Sequence, residues 1–440
     1  MSLLSRFSQA IELLPSATTR LVIAYSGGLD SRVLLQLSKE YVEKHPRFTL
    51  QAIHVHHGLQ KSADAWLEHC QQQAELLAIP FVAEKLDIAL KSRQSLEAVA
   101  REQRYAALAK YIDSDHCLLT GHHADDQFET FMLALKRGSG LQGLAAMPQS
   151  RVFSQGILLR PLLQSTRAEL EAYAKQFKLS WIDDPSNLSL DFDRNFLRHQ
   201  ILPELTQRWP QWLTTSQRSV QLLQEAVSLH DELAELDYRQ VARQQGLSLS
   251  ELQGLSLVRQ KNLIRYWFAQ QAWAYPSHAQ LQQILQQSQA KSDAKVAMAF
   301  PEGELRRYKE VLYLVDRRAL QCSCQEEVWP WQTQNRLHLA NGSRLSWQKG
   351  GNLLPPSPMQ QVRVKFRDQL EQKDFAAFGR LGRRSIKKLL QESELEPWHR
   401  ARIPFVFYDD TLVAIGDYYV QREFHCAASQ GLKLAWSPTV

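Results

Sequence analysis

Ser26-Gly27-Gly28-Leu29-Asp30-Ser31 is the segment of this chain most able to do chemistry. Paired glycines let a backbone approach a ligand closely, and successive N–H groups in such a turn form an anion-binding concavity. Ser26 and Ser31 can hydrogen-bond phosphate oxygens, and Asp30 can hold Mg²⁺ against them. No Lys precedes the serines, so the turn is not a Walker A loop. A plain strand–helix turn with Ser31 as N-cap is the alternative.

A second group of candidates is Gly121-His122-His123-Ala124-Asp125-Asp126-Gln127-Phe128-Glu129-Thr130. Asp126 and Glu129 share a helix face, with Phe128, Phe131, Met132 and Leu135 expected on another face, towards the core. The acids could complement a helix dipole, hold a metal or capture an ammonium group. Arg101 and Arg104 lie one helical turn apart, as a solvated face or as guanidiniums aimed at phosphate. His54, His56, His57 and Gly58 close another strand; the set lacks a fourth zinc ligand and fits a nucleotide pocket better. Asp183-Asp184-Pro185-Ser186-Asn187 is turn-forming and leads to Arg194 and Arg198, whose spacing suits a phosphate backbone. Lys136-Arg137-Gly138 reads as a basic helix end closed by glycine. Arg380–Leu390 reads as an amphipathic basic helix able to meet nucleic acid, through Arg383, Arg384, Lys387 and Lys388.

Alternating elements must position these residues. The run Leu21–Tyr25 has the character of a buried parallel strand, and strand-like runs recur at Leu50–Val55, Phe81–Leu86, Cys117–Gly121 and Ile157–Leu159. Helical patterns fill the gaps at Ser31–Lys44, Ser62–Leu77, Ser95–Tyr111 and Asp125–Lys136, and Thr166-Arg167-Ala168-Glu169 reads as a capping box. This is the pattern of an α/β, doubly wound parallel sheet, whose ligands lie at the carboxyl ends of its strands. At 440 residues the chain exceeds one core. Three parts are expected: an α/β domain over 1–215, a mainly helical domain over 216–328 and a small mixed α+β domain over 329–440. The formal charge of +6 is a mild bias towards polyanions. No run is long enough for a membrane span, and no signal-peptide core is present. Five scattered cysteines suit a reducing cytoplasm.

Together the hexapeptide, the His-His-Gly-Leu after the second strand, the Arg-x-x-Arg-Tyr helix, HHADDQFET, KRGSG and the DxSN…RNxxR stretch resemble the PP-loop ATP pyrophosphatases. Among these they look like the tRNA(Ile)-lysidine synthetases. One departure is His123, at a position expected to vary. The resemblance implies ligation of free L-lysine to C2 of the wobble cytidine (position 34) in the CAU anticodon of tRNA(Ile). An adenylated cytidine is the implied intermediate, and the product reads AUA as isoleucine. It implies ATP held by Ser26, Gly27, Gly28, Leu29, Asp30 and Ser31, and Mg²⁺ held by Asp30. Lysine would be received by Asp126 and Glu129, and Arg104 would stabilise adenylate charge. Lys136, Arg137, Arg194, Arg198, Arg383, Arg384, Lys387 and Lys388 would contact tRNA, and a homodimer is the favoured assembly. A tRNA thiolase would need a persulfide cysteine by the ATP site, where Cys70 and Cys117 sit in a helix and a strand. An amidotransferase would need a glutaminase nucleophile. A non-catalytic RNA-binding protein is the reading from another class.

Overall fold

A computed structural model describes residues 2–56, 63–86, 96–243, 246–289, 297–321, 324–428 and 430–438. His57, Gly58, Leu59 and Cys322 lie outside the described residues. The chain divides into two compact units, 1–229 and 230–440. Among the described residues no helix is long and apolar enough to cross a membrane.

The first unit opens with α1 (Leu3–Glu12), then β1 (Arg20–Ala24), α2 (Leu29–Lys44), β2 (Thr49–His56) and α3 (Ala63–Leu76). Next come β3 (Phe81–Lys85), α4 (Leu96–Ala109), β4 (His116–Leu119), α5 (Ala124–Lys136) and the single turn α6 (Leu141–Leu144). The hairpin β5 (Ser150–Phe153) and β6 (Gly156–Leu159) and then α7 (Arg167–Gln176) complete the α/β core. Strand order is β3-β2-β1-β4-β6-β5, parallel except for β5. Alternation along β1 feeds two cores: Leu21 and Ile23 join Phe7, Ile11 and Leu34 on one face, while Val22 joins Ile53, Leu108 and Leu118 on the other. A strand apolar on both sides needs helices on both sides, which is why this run reads as continuous hydrophobe. The chain leaves β1 towards β2 on one side and reaches β4 on the other. The crevice between their carboxyl ends is the position where this topology places ligands.

Local signals hold at several boundaries. Thr166 caps α7 with a reciprocal Glu169 contact. By contrast, α2 begins at Leu29 with Gly28 as N-cap, so Ser31 is not the cap. Leu135, expected in the core, is 52% exposed, and Glu129, expected on the polar face, is fully buried.

A polar stretch then leads through α8 (Asp193–Phe196), a π-helical turn at Leu197–Ile201, and α9 (Leu202–Arg208) to the long α10 (Trp212–Val241). Within the second unit, residues 242–316 contribute a five-stranded antiparallel sheet, with Trp267, Phe268, Leu281 and Ile284 packed in its core. Short strands at Ala242–Arg243 and Gly246–Ser248, in a stretch the sequence presents as helical, and at Ala297–Ala299 complete that sheet. Residues 327–420 build a second five-stranded antiparallel sheet, and 336–437 a three-stranded one. The basic segment is not one helix: Arg384–Ser385 pairs with Asp374–Phe375, and only Ile386–Glu392 is helical. Gly379 and Gly382 at φ +77° and +69° turn the chain away beforehand, and Ser385 caps the short helix.

His399 packs between Trp398 and Trp436, 8% exposed. Burial, with Arg402 adding to it, pulls the imidazole down to about 4. Its folded value lies below that of the unfolded chain, so the unfolded state takes the proton first. The neutral ring's contribution is complete above about pH 6.5 and is lost as pH falls towards 4, on the order of 3 kcal/mol in all. His399→Asn should therefore reduce the loss of melting temperature between pH 7 and pH 4.5, read by tryptophan fluorescence; an unchanged loss would show the ring is not buried neutral.

Candidate active site

The turn after β1 is shaped by Gly27 at φ +87°. A Cβ there would lie 2.6 Å from Cys70 Sγ and 2.8 Å from Ile182 Cδ1, so only glycine fits. Ser31 Oγ accepts from the Gly27 N–H (3.1 Å) and donates to the Gly28 carbonyl (3.0 Å), with Ser26 Oγ 3.0 Å away. Ser31 thus staples the turn from inside, and Ser26 is the exposed hydroxyl. Leu29 points into the core at 4% exposure, leaving only its backbone for a ligand. The first-turn N–H groups of α2 have no carbonyl of their own helix to bind, and the dipole adds positive potential.

The strand next door ends against this turn. A Cβ at Gly121 would sit 3.0 Å from the Asp30 backbone carbon, so glycine permits the approach of β4 to α2. His123 follows, fully buried, and its ring meets three carboxylates: Asp30 at 3.6 Å, Asp126 at 3.4 Å and Asp125 at 3.4 Å. Burial alone would lower the ring's affinity for a proton. Asp126, Asp125 and Asp30 more than reverse that and hold it up at about 10, an imidazolium at neutral pH. Arg167 serves the same acids, through its N–H to Asp125 (2.9 Å) and its guanidinium 3.8 Å from Asp30. Asp126 also caps α5 by accepting from the His123 N–H at 3.0 Å.

Glu129 was expected to face a ligand. The structure instead seals it completely and gives it two guanidiniums. Arg198 is bidentate on it (2.7 and 3.0 Å) and reaches Asp126 at 3.2 Å, while Arg194 lies 3.4 Å away. Burial raises the Glu129 carboxyl against the pull of Arg198. These two arginines were read as tRNA contacts; they face inwards because a buried carboxylate left alone is prohibitively costly. Asn195 fixes the segment that carries them by donating to the Ser186 and Ser189 carbonyls (3.1 and 2.8 Å). The π-helical turn at Leu197–Ile201 holds Arg198 itself, in keeping with the habit of such turns to mark functional places.

A different set of cations has no such partners among the described residues. Arg101, Arg104 and Arg151 lie 5.5, 5.6 and 5.8 Å from the Tyr105 ring centre, and Arg160 is buried nearby with its guanidinium on the Pro148 carbonyl at 2.7 Å. Burial lowers Arg104, and Arg101 and Arg194 add to this. His122 shares the environment: burial pulls it down to about 3, Arg160, Arg101 and Arg104 adding to the effect against Asp126. The ring is therefore neutral, with Nδ1 on Thr120 Oγ1 at 2.9 Å. Uncompensated guanidiniums beside a neutral imidazole form a receptor for an anion.

Several expected contacts stand elsewhere. Lys136 pairs with Asp193 at 2.7 Å, and Arg137 is exposed at the helix end that Gly138 closes at φ +65°. Arg384 pairs with Glu392 at 2.7 Å, while Arg383, Lys387 and Lys388 are exposed. His54 Nδ1 lies on the Tyr25 carbonyl (2.9 Å) and His56 beside Asp64 (3.3 Å), so no zinc set forms among the described residues. Sequence reasoning missed Arg160 and Arg167 and gave His123 no role. Arg167 carried a signal in its place just after the Thr166 cap; Arg160, an isolated cation after an apolar strand, carried none.

Among the described residues no group of three or more His, Cys, Asp or Glu side chains is arranged to hold a metal ion by itself. Mg²⁺ is instead held by one or two carboxylates plus phosphate oxygens and water. Asp30 fits that habit: its carboxylate stands in the first turn of α2 beside the glycine turn, with only long contacts to His123 (3.6 Å) and Arg167 (3.8 Å) among the described residues. Replacing Arg198 by Met should strand Glu129 and cost about 3–5 kcal/mol of stability. Arg198→Met combined with Glu129→Leu should recover most of it; equal melting temperatures for wild type and the single variant would contradict the pairing.

Comparison with known proteins agrees with this architecture. A PP-loop domain model matches residues 3–205, a TilS substrate binding domain model matches 247–313, and a TilS substrate C-terminal domain model matches 362–436. The tRNA(Ile)-lysidine synthase of Vibrio parahaemolyticus is 39% identical over 443 residues, covering 99% of both chains. That of Photobacterium profundum is 41% identical over 409 residues, covering 92% of this chain and 93% of its own. A solved U34-tRNA thiolase from Methanococcus maripaludis aligns with 50% of this chain and 78% of its own at 18% identity and a TM-score of 0.44. With full-length relatives at this identity, the chain belongs to the tRNA(Ile)-lysidine synthase family of ATP-using PP-loop ligases.

Proposed function

We propose that the chain joins free L-lysine to C2 of the wobble cytidine in the CAU anticodon of tRNA(Ile), so that the product reads AUA as isoleucine. The observation that carries this reading is the pairing of two unlike regions at the neighbouring carboxyl ends of β1 and β4. One is an anion receptor, built from the glycine turn and the arginines around Tyr105. The other is an acidic cluster, Asp30, Asp126 and Glu129, whose cations are all supplied by the protein itself.

The chemistry needs both. The C2 oxygen of cytosine is a poor leaving group, so it attacks the α-phosphorus of ATP and pyrophosphate departs. Lysine's ε-amine then adds to C2 and AMP leaves with the oxygen. In this scheme the turn and the α2 N-terminus hold the triphosphate, and Arg104 meets the charge that develops on the adenylate. Mg²⁺ bound at Asp30 would neutralise phosphate charge. A lysine ammonium arriving at Asp126 and Glu129 exchanges with Arg198, the cation already seated there. The amine must shed a proton before it attacks, its ordinary pKa being about 10.4, and a carboxyl raised by burial such as Glu129 is suited to accept it. Sulfur transfer is disfavoured by Cys70: wholly buried beneath Gly27, its thiol is pushed by burial up to about 12.

Purified protein given ATP, Mg²⁺, radiolabelled lysine and tRNA(Ile) with a CAU anticodon should label the RNA and release pyrophosphate and AMP. Asp30→Ala should lower the rate by about 100-fold or more. Pyrophosphate release with no lysine in the RNA would overturn the assignment of the second substrate, and undiminished labelling by Asp30→Ala would remove that carboxylate from the mechanism.

A further inference from the structure

Arg208-Trp209-Pro210 joins α9 to α10 and has no part in the site described above. Trp209 caps α9, its N–H donating to the Leu205 carbonyl at 2.7 Å, and Trp212 N–H returns to the Trp209 carbonyl at 2.9 Å. The connection is therefore short and fixed at both ends. Trp209 is nonetheless 51% exposed. One of its faces is covered: Trp212 stacks on it at 5.4 Å with the planes 28° apart. Trp212 in turn meets Phe128 edge-on at 6.5 Å, and Phe128 is a buried residue of α5, next to Glu129. The open indole is thus braced from behind on the helix that carries the acidic cluster.

The pair borders a cavity of about 560 Å³ lined by Arg208, Trp209, Pro210, Gln211, Trp212 and Thr215. That is ample for a nucleobase. Among the described residues its lining includes no carboxylate, and Arg208 is its one charged side chain. A flat aromatic face beside a cation matches a base and its phosphate. An apolar peptide would satisfy the ring alone.

We propose that Trp209 is a stacking platform for an unpaired nucleobase of the RNA substrate, with Arg208 on its phosphate. This rests on the RNA-modifying function proposed above. Stacking one base on an aromatic side chain corresponds to about 5- to 100-fold in affinity.

The test uses the full chain as wild type, Trp209→Ala and Trp209→Phe. Steady-state kinetics give KM for tRNA(Ile) and, separately, for ATP; intrinsic fluorescence and filter binding follow an anticodon stem-loop RNA without ATP. Trp209→Ala should raise KM for tRNA by about 5- to 100-fold and leave KM for ATP within twofold, with Trp209→Phe recovering most of the loss. The stem-loop should quench wild-type fluorescence more than that of Trp209→Ala. Equal tRNA KM values in an actively lysinylating wild type and Trp209→Ala would overturn the platform and leave lysine transfer standing. Absence of lysine incorporation by wild type would instead sink the functional reading; stem-loop quenching and affinity would then decide the platform, equal values in wild type and Trp209→Ala overturning it. A Trp209→Ala change in sedimentation of the protein alone, with RNA affinity unaltered, would assign the face to contact between copies and also overturn it.

Discussion

A carboxylate with no exposure to water constrains this amino-terminal unit more than any other single group. Glu129 sits on α5 one turn beyond Asp126, and an isolated ion there would be far too costly to bury. The remedy is supplied from a distant stretch of chain, which bends through a polar loop and a π-helical turn to deliver Arg194 and Arg198. Asn195 pins that loop, and Asp126 links the pair to His123 and hence to Asp30 beneath the glycine turn. The geometry of the phosphate turn and the closing of the carboxyl-terminal loop are consequently one electrostatic problem with one solution.

That solution separates two kinds of positive charge. His123, Arg167, Arg194 and Arg198 are tied to acids and hold the cluster together. Arg101, Arg104, Arg151 and Arg160 gather instead around a tyrosine ring and a neutral imidazole. Guanidiniums crowded in this way repel one another, and an arriving polyphosphate relieves the repulsion. Binding energy for an anion is therefore stored in the fold before the anion arrives.

Much of this was legible in the sequence where local chemistry decides. The apolar run before Ser26, the paired glycines, the Thr166 capping box and the alternation of strands and helices are all short-range signals, and the sheet follows from them. What escaped was set by partners far along the chain. A helical wheel separates Glu129 from Phe128, yet it cannot show that a segment sixty-odd residues later will cover the acidic face. Arg194 and Arg198 look like solvated cations for the same reason. Strands as short as Ala242–Arg243 carry too few residues to show a period, so residues 242–248 read as helix. In the basic carboxyl-terminal segment, two positive-φ glycines overrode a plausible helical stripe.

Cys70 belongs to α3, yet its sulfur occupies the space directly beneath the phosphate turn, where a side chain on Gly27 would have to go. The height at which the turn rides above the sheet is thereby gauged by the bulk of a residue on another helix. Serine or alanine at position 70 would let the loop settle, and valine or leucine would jack it upward. The height of the glycine turn can thus be trimmed from below, by small adjustments to one side chain on a neighbouring helix.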